Sequence, residues 1–171
     1  MLNLLNNQIT KFDEIQELLR MTFEAEKKYF ETAERVQIAV FSRFLYYQSS
    51  MRNKLCNRLI QALVENKVEP EMTYTDKLKR EISGLEMKRM LEDKEYTDHV
   101  GQCIAFDTKL INKCNQIGEN KELPVSVLEA IIGELSFLTL AKTEAINLIN
   151  SQQLKVEEPK IKIIPLKSKI S

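Results

Sequence analysis

Histidine is nearly missing from this chain: His99 alone in 171 residues. A di-metal site between four helices normally takes a Glu-x-x-His motif from each of two helices, and the sequence contains no such motif. Cysteine is sparse as well. Cys56, Cys103 and Cys114 are an odd number with no CxxC pair. A disulfide framework needs pairs and an oxidising compartment, so these read as reduced, buried packing residues. Cys103 and Cys114 lie three helical turns apart on one face, and His99, one turn before Cys103, is the type of neighbour a reactive thiol requires. No charge of either sign is in excess, with 25 basic and 25 acidic residues. Nucleic-acid binding normally shows a basic surplus on one face, so no nucleic-acid partner is expected. No apolar run approaches the ~20 residues of a membrane span, and no charged n-region precedes an apolar stretch. A membrane partner is therefore not expected, and the cytoplasm is the expected location. Phosphate-cradling glycine loops, nucleophile elbows and zinc spacings are missing too.

What remains is helical. Gly and Pro, four of each, fall mostly at the seams of four long amphipathic patterns. From Ile9 to Glu34 apolar residues recur at Phe12, Ile15, Leu19, Phe23, Phe30 and Ala33, a helical spacing. A second pattern follows from about Ile38 to Asn66, through Phe41, Leu45, Leu55, Leu59 and Leu63. No Gly or Pro separates the two. Read locally they form one helix of over fifty residues, roughly 80 Å long. A compact domain instead folds back near Arg35–Ala39, where Val36, Ile38 and Val40 weaken helical preference, and the hairpin is the expected form. Pro70 ends the second helix. A short crossover helix is expected near residues 76–91, capped by Thr75 or Asp76. The third long helix spans about Lys94 to Gln116 with Gly118 as its C-cap. Pro124 opens the fourth, which runs to about Asn150. Hence the expected fold is all-α: an antiparallel four-helix bundle over residues 1–152, with residues 153–171 as an extended C-terminal tail. Within it, residues 155–171 carry five lysines, two glutamates, two prolines and an Ile/Lys alternation.

Level arithmetic across the two hairpins locates the one constellation that could carry chemistry. A turn near residue 37 sets Glu26 level with Gln48, one turn from Met51 and Arg52. A turn near residue 121 sets Asp107 level with Leu135, beside Glu134. Three acids at mid-height resemble the remains of a carboxylate metal site, and Glu26, Asp107 and Glu134 are the residual metal candidates. The expected chemistry is otherwise none: Met51 and Phe137 fill the histidine slots, and Arg52 brings a positive charge where a cation would sit. Glu26 and Arg52 are expected to pair inside the first hairpin. The acids are expected to be satisfied by Arg52, Lys142 or tyrosine hydroxyls, because an unpaired buried charge is costly.

Tyr29-Phe30-Glu31-Thr32-Ala33-Glu34 closing the first helix, the exit Lys67-Val68-Glu69-Pro70-Glu71, Cys103 to Asp107, and Leu123-Pro124 together resemble a bacterial ferritin-like family of unknown function, over roughly residues 5–150. The resemblance implies an up-down, crossover, up-down bundle, often dimeric, whose relatives bind iron or manganese through inward Glu and His. The sequence departs from that pattern at the histidines. The expected function is therefore a non-catalytic ferritin-like bundle serving assembly or binding, with a degenerate metal site, no cofactor and a homodimeric state. The alternatives are a histidine-poor iron or manganese carboxylate protein, or a helical module that binds a protein partner through residues 155–171.

Overall fold

The computed structural model describes residues 2–71 and 96–157. Four helices occupy them: α1 (Leu2–Arg35), α2 (Ala39–Glu65), α3 (Tyr96–Gly118) and α4 (Val125–Glu157). Among the described residues there is no strand. The expected crossover helix at 76–91 lies outside the described residues, as does the tail from residue 158. Helix α1 packs on α2 and on α3, and α4 packs on α3 and on α2. These contacts close a ring of four, the arrangement of an all-helical bundle. Among the described residues no helix is long and apolar enough to cross a membrane.

The single long helix does not occur, because the chain breaks at residues 36–38. Ile38 leaves the helical region at φ −79°, ψ 111°, and no side chain caps α2. Packing holds the break instead. Val36 is buried beside Phe41 and Ala33, and the Ser42 hydroxyl donates to the Ala33 carbonyl at 3.1 Å. That bond satisfies one of the acceptors a helix C-terminus leaves open. Ser49 likewise donates to the Glu26 carbonyl at 3.2 Å. Residue numbers thus fall along α1 as they rise along α2, with the levels expected of the hairpin to within one residue.

The exit from α2 differs in mechanism from the proline stop read in the sequence. Lys67 adopts φ 59°, Val68 N–H donates to Leu63 C=O and Lys67 N–H to Val64 C=O, each at 2.9 Å. This pair of bonds is a Schellman closure, with Val68 packed against the cluster that contains Leu63. A left-handed lysine costs roughly 1–2 kcal/mol and glycine returns about half of that as chain entropy, so Lys67→Gly should stabilise by about 0.5–1 kcal/mol in chemical denaturation. Gln16 on α1 then brackets the outgoing chain: its Nε2 donates to Glu69 C=O at 2.7 Å, and its Oε1 accepts from Glu71 N–H at 3.1 Å.

Gly118 does not play the expected C-cap role, since it lies inside α3 and has no positive φ. The turn that follows is built by Asn120, whose Oδ1 accepts from Glu122 N–H at 3.1 Å. Pro124 opens α4 as expected, its carbonyl accepting from Val127 and Leu128. Helix α4 runs past Asn150 to Glu157, into residues read as tail. Nothing between Ser151 and Glu157 interrupts the backbone ladder: the stretch holds neither Pro nor Gly.

The core is divided. One apolar cluster gathers around Ile15, Leu18, Leu55, Leu110 and Leu138; the other around Tyr29, Phe41, Leu45, Val100 and Ala145. Between them α1 contributes Glu26, α2 contributes Gln48, Ser49 and Arg52, and α3 contributes Asp107, all buried. A polar layer crosses the bundle at mid-height.

Candidate functional site

Arg52 is the largest fully buried side chain in that layer. Its guanidinium has three donor nitrogens, and all three are engaged. Nε donates to Asp107 Oδ1 at 3.1 Å, and Nη2 to Oδ1 at 2.6 Å and to Oδ2 at 2.5 Å. Nη1 donates to the Gln48 carbonyl at 2.8 Å and to its Oε1 at 2.9 Å. Gln48 lies one turn before Arg52 on α2, so helical spacing alone supplies that second anchor. Tyr29 on α1 closes the other side. Its hydroxyl donates to Asp107 Oδ2 at 2.5 Å, and the Arg52 Cζ stands 3.8 Å from the centre of its ring. The guanidinium is thus held in its plane by a carboxylate and from one face by an aromatic ring. Burial pushes the Tyr29 phenol well above its ordinary value, with Arg52 pulling the other way. The phenol therefore stays a donor.

This arrangement corrects one expectation and bears out another. The guanidinium expected to pair with Glu26 is turned to Asp107, because α3 offers a fully buried carboxylate directly opposite. Glu26 Oε1 accepts from Asn53 Nδ2 at 2.9 Å instead. Asp107 is satisfied by Arg52 and a tyrosine hydroxyl, as anticipated. Glu134 on α4 pairs with Arg58, a residue that no level rule singled out because α2 and α4 are not consecutive. The three candidate acids therefore meet different hydrogen-bond donors: Asn53 for Glu26, Arg52 and Tyr29 for Asp107, and Arg58 for Glu134.

Glu134 is buried, whereas the Arg58 side chain is 57% exposed. Desolvation outweighs the attraction of Arg58 and raises the Glu134 pKa above 4.5. Its protonated form is favoured by folding, so its contribution is full below that ordinary value and is lost as pH rises through the raised one. Glu134→Gln should remove this dependence: the melting temperature of the variant should gain on that of wild type between pH 4.5 and pH 7. Equal pH profiles for the two proteins would contradict the assignment.

The cysteines are buried and unpaired with one another. Cys103 donates to Thr32 Oγ1 at 3.4 Å. Burial pushes its thiol up to about 11 and that of Cys114 up to about 12, the opposite of an activated nucleophile. A thiol reagent at pH 8 should therefore label native protein only as fast as the bundle opens, and burst labelling of Cys103 would refute that.

Iron or manganese does not fit these residues. Asp107 is occupied by a fixed cation and a phenol on both oxygens, and a metal ion beside Arg52 would face its full charge in a dry interior. Among the described residues no group of three or more His, Cys, Asp or Glu side chains converges on a point.

Comparison with known proteins adds no identity: no protein-family model matches the chain, nor does any curated protein or solved structure.

Proposed function

We propose that this chain is a non-catalytic, antiparallel ferritin-like bundle whose role is assembly or binding, acting as a cytoplasmic homodimer without a metal cofactor. The observation that carries the reading is the saturated guanidinium of Arg52. A centre built for redox or hydrolytic work keeps an open coordination position or an unsatisfied acid; here all three nitrogens of the cation and both oxygens of its carboxylate are engaged. What the layer supplies is a directional link between α1, α2 and α3, and so a register for their packing. Such a body presents surfaces rather than chemistry.

Elemental analysis of the full chain, produced with iron and manganese supplied and purified without chelator, tests the proposal. Only substoichiometric metal is expected. One or more equivalents of either metal per chain, lost in Asp107→Asn or Glu134→Gln, would replace the reading with that of a carboxylate metalloprotein. Light scattering on the same sample should return the mass of a dimer.

A further inference from the structure

Helix α4 has an outer face that the bundle does not explain. Ile132 is 59% exposed, Leu140 61% and Ile146 40%. On a helix of 3.6 residues per turn Ile132 and Leu140 flank Ser136, which points directly away from the buried row Val127, Ile131, Leu138 and Ala145. Among the described exposed residues of α4 none is Lys or Arg, and the only charged ones are Glu129 and Glu144. A Lys-free face with large aliphatics is the composition of a covered surface rather than a solvated one.

We infer that this face is the seat of the chain's own C-terminal segment, residues 158–171. The inference deepens the binding half of the function proposed above and rests on it; metal content does not bear on it, so the two can fail separately. Three observations select this occupant. The segment begins where α4 ends, and its 14 residues span roughly 46 Å when extended at about 3.3 Å each. The path back from Glu157 is roughly 26 Å to Leu140 and roughly 38 Å to Ile132 at 1.5 Å per residue, so after a reversal of about two or three residues the segment still passes Leu140 and reaches the neighbourhood of Ile132. Its charge is complementary, with four lysines and one glutamate opposite a face whose exposed charges are both acidic. It also brings five aliphatics between Ile161 and Ile170 to meet Ile132, Leu140 and Ile146. A second copy laid on this face would set acids against acids. Tethering favours the segment of the same chain, because its effective concentration is high without any assembly step.

Trypsin reads this directly, since the lysines of the segment are its cleavage sites. The full chain is compared with full-length Ile132→Gln/Leu140→Gln, which adds no new site and alters only exposed positions, with circular dichroism confirming unchanged helix content. Cleavage after Lys160 and Lys162, followed by intact mass, should be about tenfold slower in wild type than in the variant, as for a segment docked nine-tenths of the time. That protection should not change on dilution. Equal cleavage rates in the two proteins would overturn the proposal. So would protection that vanishes on dilution, which would place the segment on another copy. Conversion from dimer to monomer with unaltered tail cleavage would assign the face to a second copy and overturn it equally.

Discussion

Asp107→Leu alone should destabilise the protein by about 3–5 kcal/mol, because it leaves the Arg52 guanidinium buried without its carboxylate. Arg52→Met alone should cost less, since Asp107 keeps the hydrogen bond from the Tyr29 hydroxyl. The double replacement, Arg52→Met with Asp107→Leu, should recover the whole loss and is expected to lie between neutral and about 4 kcal/mol more stable than wild type. Denaturant unfolding of the four proteins forms a double-mutant cycle, and its coupling energy should exceed the 0.5–3 kcal/mol found for ordinary neighbours. Additive losses would mean that the pair is not an energetic unit. The cycle also separates stability from specificity. The apolar double variant keeps the hydrophobic drive but loses the directional link between α2 and α3, so it should show broadened side-chain resonances if the layer sets helix register.

The legible part of this fold was the part written in periodicity. Apolar residues three and four apart located all four helices, and a weak run of β-branched residues located the break between α1 and α2. The features that escaped are those where geometry overrides residue type. Lys67 takes a left-handed conformation that sequence reserves for glycine, because the Leu63 and Val64 carbonyls reward the closure. Gly118, which has the residue type for that conformation, does not adopt it. At mid-height, level arithmetic found which acids were inward but could not decide which helix each would face. Hairpin arithmetic relates α1 to α2 and α3 to α4, whereas the Arg52–Asp107 and Arg58–Glu134 pairs each run from the first hairpin to the second. A buried arginine next to two buried acids was visible in the pattern; its choice between them depends on which ring and which amide it also meets.

The break at residues 36–38 is where the second large effect is expected. Ile38 provides no side-chain cap for α2, so the hairpin is not held by the usual polar signal at a helix start. Phe41 is fully buried in the upper cluster with Tyr29, Ala33, Val36 and Leu45, one turn into α2 and against the last turns of α1. Phe41→Ala would leave a void between the two helices at the point where they diverge, and should cost about 3–5 kcal/mol. Ser42→Ala removes only the bond to the Ala33 carbonyl and should cost on the order of 1 kcal/mol. If packing governs the turn, the phenylalanine variant alone should also expose the amides of residues 33–45 to fast hydrogen exchange while α3 remains protected. The opposite ranking, with Ser42→Ala the more damaging, would show that the carbonyl cap rather than the buried ring folds the chain back.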